Sequence, residues 1–330
     1  MSRKACHAGS WYTEQAEFLL PFTLLIIIKG PRLNEELTQW LDNVPEKAED
    51  VPIPVPGARA IIAPHAGYMW SGQAAAFAYK SINPDFVKRV FIFGPSHHFN
   101  LTKCALSQCT QYETPLGNLK LDTEIIEELK KTGEFISVSR DVEEEEHSIE
   151  MHLPYTYKIL ESKVDSIKIV PIMVGSLNST KETFYGELFA PYLADPSNLF
   201  IISTDFCHWG PRFSYTYYSA SPGNSTYLSR VSNKTLPIPI YKSIEKLDRE
   251  GMDFIENIDH KGYISYLSKT KNTICGRHPV GILLSAIETL QKSYDIEQPR
   301  IKFIHYSQSN QVKHEGENSV SYASAYVYLP

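Results

Sequence analysis

The chain has 330 residues, of which 42% are hydrophobic and 21% charged, and its formal net charge at pH 7 is −6. This composition is typical of a globular protein, and the negative charge argues against nucleic acid as a partner. The five cysteines are scattered along the chain, which excludes a disulfide framework and favours a reducing, cytoplasmic compartment.

An apolar run at residues 18–28 lies near the N-terminus. It is too short for a transmembrane helix, which needs about 20 apolar residues. Glu14 and Glu17 precede it and no small-residue cleavage site follows it, which argues against a secretory signal. We therefore expect no membrane insertion and interpret the run as an insertion at the surface or packed against the domain.

Apolar periodicity predicts alternating strands and helices along the rest of the chain. Strands are predicted at 58–63, 89–94, 167–174, 199–203, 301–307 and 320–328, with short strands and turns over 106–121. Helices are predicted at 33–41, 71–81, 122–132, 143–160, 181–193, 244–258, 261–270 and 279–292, and loops at 46–56 and 219–239. A strand, a helix and a strand in succession predict a parallel crossover, and thus the α/β class.

Three of the predicted strands end in a short turn that carries histidine. These residues are His65 after the strand 58–63, His97 and His98 after 89–94, and His208 after 199–203. Ligands of open α/β sheets bind outside the carboxyl ends of the strands, so we expect one shared site. Neutral imidazole is the commonest protein metal ligand and also serves as an acid or base. The alternative is three unrelated, hydrogen-bonded loop histidines.

Cys275 lies immediately before a predicted apolar helix, beside Arg277. A helix N-terminus and a neighbouring cation both stabilise a thiolate, which is the form that binds metal or acts as a nucleophile. The alternative is a buried thiol that packs as a small hydrophobe. Arg277 and His278 at the helix start also suit an anion such as a phosphoryl group.

Other residues could line the same site. Asp205 precedes His208 by three residues and either orients an imidazole or caps a turn. His147 and Glu150 lie one helical turn apart, and they either line the site or belong to a solvated acidic helix start. Trp11 follows His7 in a glycine-containing turn and is either an aromatic wall of the site or ordinary core.

Six motifs in this order resemble those of the Memo family (mediator of cell motility). They are HAGSWY at 7–12, ARAIIAPHAGY at 58–68, GPSHH at 94–98, EHSIEMHLPY at 146–155, STDFCHWG at 203–210 and NTICGRHP at 272–279. The resemblance runs from about residue 5 to the C-terminus. It implies one domain over 1–330, with a central mostly parallel or mixed sheet flanked by helices, as in class III extradiol dioxygenases.

The resemblance also implies a function and a set of site residues. Family members are described as binding copper or iron, affecting cellular redox state, and recognising phosphotyrosine motifs of receptor kinases in signalling to the cytoskeleton. We expect a cytoplasmic location, with the nucleus as a second one. The implied metal ligands are His65, His97 and Cys275. The implied catalytic neighbours are His208 and Asp205. The peptide-binding residues would be Trp11, His65, His208, Cys275 and Arg277, and the pocket would be lined by His7, His98, His147 and Glu150.

Two segments, 14–29 and 219–240, are longer than is usual in the family and are interpreted as insertions. Related dioxygenases hold Fe(II) by two histidines and one carboxylate, whereas the third ligand that the resemblance implies here is a thiolate. Thiolate with two imidazoles favours Cu(I) or Zn(II), and Fe(II) is also compatible. We therefore predict a metal-binding redox and signalling protein with no assigned reaction. A dioxygenase-like oxidoreductase is the alternative, and a zinc hydrolase with His208 as general base is a third reading.

Overall fold

The computed structural model describes residues 1–13, 31–48, 51–221, 223–229, 236–294 and 296–330. The apolar run at 18–28 lies outside these ranges, as does all of the insertion predicted at 14–29. Part of the insertion predicted at 219–240 also lies outside them. Within the described ranges, none of the helices has the length and apolar character needed to cross a bilayer.

Along the chain, helices alternate with strands in the described residues. The helices are α1 (Pro31–Asp42), α2 (Tyr68–Lys80), α3 (Thr123–Lys131), α4 (Arg140–Glu145), α5 (His147–Glu150), α6 (Leu153–Ile159), α7 (Ser179–Ala194), α8 (Ile240–Glu256), α9 (His260–Thr270) and α10 (Arg277–Ser293). Side-chain caps mark several helix starts. Asp122 accepts from the Ile125 N–H before α3, and Asn178 accepts from the Lys181 N–H before α7.

The strands are mostly short and apolar. They are β1 (Ser2–Arg3), β2 (Lys47–Ala48), β3 (Val51–Pro52), β4 (Ala58–Ala63), β5 (Arg89–Pro95), β6 (Cys104–Leu106), β7 (Gln111–Thr114), β8 (Gly117–Leu121), β9 (Phe135–Ser137), β10 (Lys168–Val174), β11 (Asn198–Ser203), β12 (His208–Trp209), β13 (Tyr217–Ser221), β14 (Asn224–Tyr227), β15 (Arg300–Gln308) and β16 (Ser319–Tyr328).

Among the described residues, twelve of these strands form one mixed sheet. Its main path is β1-β7-β8-β10-β5-β11-β4-β16-β12, with β15 on β16 and the pair β6 and β9 on β10. The centre, β10-β5-β11-β4, is parallel, while β16 runs antiparallel to β4. Because β4, α2 and β5 form a parallel crossover with β11 between the two strands, the predicted crossover is confirmed. The predicted single α/β domain with a central mixed sheet flanked by helices is also confirmed.

The central strands are buried, which explains their continuous apolar sequences. The rings of Phe91 and Phe200 stack with centroids 4.8 Å apart, and the Phe93 ring meets Phe189 of α7 edge-on at 4.9 Å. Helices α7 and α10 pack together and against β11, while α2 packs against β4 and β16. This packing holds the carboxyl ends of β4, β5 and β11 side by side.

The prediction of one helix over 143–160 was wrong. The segment forms the end of α4 and then α5 and α6, and the first break lies at Glu146, whose backbone is extended at φ −87° and ψ 127°. The Glu146 side chain accepts a hydrogen bond from the Ser148 N–H at 2.9 Å, which starts α5. Helical periodicity continues across the break, so the sequence pattern gives no sign of it.

The two predicted loops are also partly wrong. Within 219–239, β13 pairs with β14 as an antiparallel hairpin, and within 46–56, β2 pairs with β3. Proline and charged residues dominate 46–56, and serine, asparagine, glycine and proline are frequent in 219–239; proline, glycine, asparagine and the charged residues Asp, Glu and Lys have low strand propensity. Backbone pairing in a hairpin overrides that propensity. The remaining predicted strands and helices are confirmed, with ends that differ by a few residues.

We expect Gly186→Ala to destabilise the protein, because a Cβ there would lie about 2.5 Å from the Ser285 Cβ where α7 crosses α10. Overpacking of this kind costs about 1–3 kcal/mol in the free energy of unfolding, measured by urea denaturation. Gly316→Ala is the matched control, because a Cβ at Gly316 meets no atom within 4 Å. Equal stability of the two variants would contradict the close helix packing.

Candidate metal centre

The carboxyl ends of three adjacent parallel strands meet at one edge of the sheet. His65 follows β4, His97 follows β5 and Asp205 follows β11, and the register pairs Ala63 with Ser203. Cys275 reaches the same place from the loop before α10, where its sulfur accepts a hydrogen bond from the Asp205 N–H at 3.2 Å. The strand order therefore brings together residues that are far apart in sequence.

His65, His97 and Cys275 form a compact group. One ligand atom from each lies within 4.8 Å of the other two, and the Cys275 Sγ lies 3.3 Å from His65 Nε2. The imidazole rings of His65 and His97 meet edge-to-face with centroids 5.2 Å apart. Two nitrogens and one sulfur thus face a common point.

The hydroxyl of Ser203 fixes the orientation and tautomer of His65. Ser203 Oγ donates its one proton to the Ser148 carbonyl at 2.8 Å, so it can only accept from His65 Nδ1, which lies 2.6 Å away. His65 therefore carries its proton on Nδ1 and turns an unprotonated Nε2 toward Cys275. Burial, together with nearby imidazoles, lowers the pKa of His65 well below its usual value, so this ring is neutral at pH 7.

A buried carboxylate orients His97 in the same way. Glu146 Oε1 accepts from His97 Nδ1 at 2.9 Å, and its Oε2 accepts from the His97 backbone N–H at 2.6 Å. Burial lowers the pKa of His97, but hydrogen bonds to Cys275 and Glu146 outweigh burial and raise it to about 10. Since Nδ1 is bonded to Glu146, Nε2 is the atom that faces Cys275. A metal ion at this position would replace the Nε2 proton.

The backbone around Cys275 permits a very close approach to β11. The Gly276 N–H donates to Thr204 Oγ1 at 3.0 Å, and a Cβ at Gly276 would collide with the Ser203 carbonyl and the Thr204 side chain. Glycine is therefore required for Cys275 to lie over the end of β11.

The carboxylate of Asp205 supports the site through the main chain. Its Oδ1 accepts hydrogen bonds from the backbone N–H groups of His65, at 2.9 Å, and Ala66. Burial raises the pKa of Asp205, although the nearby His208 opposes this. In these contacts Asp205 holds the His65 turn, and it is not part of a three-ligand group in the described structure.

His208 is held by the loop that carries Cys275. Its Nδ1 donates to the carbonyls of Phe206 at 2.9 Å and Thr273 at 3.1 Å, and its backbone N–H donates to Thr273 Oγ1. Because Nδ1 makes these bonds, the other ring nitrogen, Nε2, takes no part in them. His208 lies outside the His65, His97 and Cys275 group.

The turn near the N-terminus that contains His7 and Trp11 lies at the outer side of the site. Glu150 is fully buried and accepts from the His7 backbone and Nδ1, from Tyr12 Oη and from Arg3. Burial alone would raise the pKa of Glu150, but the hydrogen bonds from His7 and the charge of Arg3 lower it. These contacts hold Trp11, whose side chain is 37% exposed, at the mouth of the site.

His147 lies between Trp11 and His97. Its ring centroid is 4.3 Å from Trp11 and 4.4 Å from His97, with the His97 ring stacked on it. Burial and the neighbouring His97 lower the pKa of His147 to about 3, so the ring is neutral at pH 7. His98 and Arg277 are exposed, with the His98 ring 6.0 Å from that of His147.

Asp248 of α8 is a buried residue that sequence analysis missed. Its Oδ1 accepts from the Cys207 N–H and from Asn272 Nδ2, and its Oδ2 accepts from Tyr306 Oη at 2.9 Å. It thereby ties the His208 turn to the loop that carries Cys275. Glu146 and Ser203 were also missed as partners of the histidines. The sequence gives no signal of the role of Asp248, because acidic residues are common in amphipathic helices such as α8.

The donor set is compatible with a soft or borderline metal ion. Two imidazole nitrogens and one thiolate suit Cu(I), Zn(II) and Fe(II). Histidines that bind metals usually donate the remaining ring N–H to a carboxylate or another acceptor, as His97 does to Glu146 and His65 to Ser203. The residues present therefore fit a metal ion.

Known proteins resemble this chain over almost its whole length. A family profile described as Memo-like protein matches residues 3–326. Proteins named Protein MEMO1 are 48% identical in Rattus norvegicus and 47% identical in Homo sapiens, over 98% of this chain and 96% of each relative. Protein memo-1 homolog of Caenorhabditis elegans is 42% identical over 99% of this chain and 83% of its own length.

Among solved structures, that of the uncharacterized protein JW3007 from Escherichia coli K12 aligns at 12% identity. The alignment covers 80% of this chain and 99% of that chain, with a TM-score of 0.42.

We expect Asp248→Asn to change how stability depends on pH. Burial raises the pKa of Asp248 to about 6, from about 3.9 in an unfolded chain. The folded state therefore binds this proton more tightly, and stability from this group is lost as the pH rises from about 4 to 6. Asparagine cannot ionise, so the variant lacks this loss.

Urea denaturation of both proteins from pH 4 to pH 7 tests the role of Asp248. The free energy of unfolding of Asp248→Asn, minus that of the wild type, should rise by about 2 kcal/mol between pH 4 and pH 7 and level off above pH 7. If the wild type and Asp248→Asn had parallel pH profiles, the pKa of Asp248 would be the same in the folded and unfolded states, which would contradict the prediction.

Proposed function

The chain belongs to the Memo family, and we propose that it is a metal-binding protein that acts in redox homeostasis and in signalling. His65, His97 and Cys275 hold one copper or iron ion, with zinc as a third compatible ion. The observation that carries the proposal is the approach of two imidazole nitrogens and one sulfur to within 4.8 Å of one another. The bonds that orient both histidines support it.

A copper or iron ion in this site would supply one-electron redox chemistry. The chain's own residues bind it, with His65 buried, Cys275 half-buried and His97 exposed. His65 is 1% exposed, Asp205 fixes the His65 backbone, and the Asp205 N–H donates to the sulfur ligand. Hydrogen bonding from a backbone amide to a thiolate stabilises its charge and tunes a bound metal. These contacts are what we would expect of a site that retains its ion.

The dioxygenase-like alternative is not favoured. Non-haem iron oxygenases use two histidines and one carboxylate as ligands. Here a sulfur takes the third place, and the neighbouring carboxylate of Asp205 accepts from the backbone of His65 and Ala66 instead. His208 and Asp205 are therefore proposed as residues that support and border the site.

Elemental analysis of anaerobically purified protein tests the metal role. We expect about one equivalent of copper or iron in the wild type and a loss of most of it in Cys275→Ser, because serine does not supply a thiolate. Cys6→Ser is the matched control, since Cys6 is exposed and belongs to no ligand group in the described structure. Equal metal content in all three proteins would overturn the assignment of Cys275.

The signalling part of the proposal is binding of phosphotyrosine-containing receptor or adaptor proteins. Arg277 is exposed in the first turn of α10, two residues after Cys275. Trp11 contacts His147 beside the site, and His208 is hydrogen-bonded to Thr273 of the loop that carries Cys275. Arginine and a helix N-terminus both favour a phosphoryl group. The proposed compartments are the cytoplasm and the nucleus, in keeping with five cysteines that are all free.

We expect a phosphotyrosyl peptide to quench the fluorescence of Trp11, and the unphosphorylated peptide to have no effect. Because the chain has four tryptophans, the quenching must disappear in Trp11→Phe to be assigned to this residue. Arg277→Gln should weaken binding about tenfold, the effect of losing one charge-assisted contact. Equal binding of both peptides would contradict recognition of the phosphoryl group.

A further inference from the structure

A polar cleft lies between the β13–β14 hairpin and the helices α8 and α9. Its volume is about 240 Å³. Pockets that bury drug-sized ligands measure about 300–1,000 Å³, so this cleft has room for a smaller molecule, of the size of one sugar. The described residues that line the cleft include none of those assigned to the metal centre.

One face of α8 forms the floor of the cleft. Ser243, Lys246, Leu247 and Glu250 recur at helical spacing, so they share one side of the helix, and all four line the cleft. Leu247 is the single apolar residue of these four. A helix face that packs against a neighbouring element is usually mostly apolar, and this composition therefore favours a face that holds a polar molecule.

The hairpin forms the opposite wall of the cleft. Ser219 of β13 pairs with Ser225 of β14 in the strand register, and Tyr217 lies two residues before Ser219, on the same face of the strand. All three residues line the cleft. The wall thus presents two hydroxyl groups beside one aromatic ring.

Two hydrogen bonds hold the hairpin to α8 and leave donors for a ligand. The Ser219 N–H donates to Ser243 Oγ at 2.8 Å, and Lys246 Nζ donates to the Ala220 carbonyl at 3.0 Å. Ser243 is 2% exposed, and its hydroxyl proton goes to no acceptor among the described residues. Because a buried donor without an acceptor is unfavourable, a ligand oxygen at Ser243 would be stabilising.

The charges around the cleft favour an anion. Lys246 on α8 and Lys269 near the end of α9 line it together with one carboxylate, that of Glu250. Lys269 and Glu250 have no ion-pair partner in the part of the chain that the structure describes. The whole chain carries a net charge of −6, so an anion is attracted only where lysines are locally in excess.

We propose that this cleft binds a small phosphorylated sugar. The ammonium groups of Lys246 and Lys269 bind the phosphoryl group, and the carboxylate of Glu250 and the hydroxyl of Ser243 bind sugar hydroxyls. The ring of Tyr217 covers the apolar face of the sugar. The hairpin begins the segment 219–240, which is longer than is usual in the family, and the proposal is independent of any metal ion.

Isothermal titration calorimetry of the full chain with glucose 6-phosphate, ribose 5-phosphate, glucose and inorganic phosphate tests this proposal. We expect saturable binding of one molecule of at least one phosphorylated sugar. The unphosphorylated sugar and inorganic phosphate should each bind about tenfold more weakly or worse, because each lacks one set of contacts. Absence of binding by both phosphorylated sugars, or equally tight binding of inorganic phosphate, would overturn the proposal.

Substitutions of charged residues locate the bound sugar. Lys269→Gln should weaken binding about tenfold, the effect of losing one charge-assisted contact. Lys261→Gln is the matched control, because it removes the same charge from the same helix at an exposed residue that does not line the cleft. Equal affinities of these two variants would overturn the assignment of the cleft.

Glu250→Gln tests recognition of the sugar separately from recognition of the phosphoryl group. It should weaken binding of the phosphorylated sugar, which loses a hydroxyl acceptor, while inorganic phosphate should bind at least as well without the negative charge. Weaker binding of both would contradict the role of Glu250. Glu250, Lys261 and Lys269 are exposed, so thermal unfolding should match that of the wild type and separate lost binding from lost folding.

Discussion

Hydrogen bonds to Nδ1 of the histidines are the interactions on which the rest of the site depends. Ser203 bonds Nδ1 of His65, and Glu146 bonds Nδ1 of His97. Each bond fixes a ring in the plane that turns Nε2 toward Cys275. Without these partners the rings could rotate or change tautomer, and three ligand atoms from distant parts of the chain would not face one point. The chain's own hydrogen bonds therefore hold the three ligand atoms in place.

The fold provides this organisation through strand order and through one irregular helix. The adjacent parallel strands β4, β11 and β5 end at the same edge, so the turns that follow them meet. Glu146 can reach His97 only because the chain leaves the helical conformation between α4 and α5. The sequence pattern would allow an uninterrupted helix, and the break at Glu146 removes some of its backbone hydrogen bonds. In exchange, the buried carboxylate of Glu146 lies at the site.

Much of the fold could be predicted from sequence, because buried parallel strands are apolar runs and their ends are marked by proline, glycine and serine. The approach of His65 to His97 was predictable for the same reason, whereas His208, predicted for the same site, lies outside the ligand group. The residues that orient these histidines could not be predicted. From the sequence alone, Ser203 is the last residue of a strand, Glu146 is part of a helix, and Asp248 is an ordinary polar position. Their roles arise from contacts with residues about 40 to 140 positions away, which local patterns do not encode.

X-ray absorption at the metal edge of anaerobically purified protein tests the central claim most directly. The account predicts one sulfur neighbour at about 2.3 Å and nitrogen neighbours at about 2.0 Å around the ion. In Cys275→Ser the sulfur contribution should vanish from any ion that remains. A first shell made only of oxygen and nitrogen in the wild type would contradict the account, because it would place the ion away from Cys275.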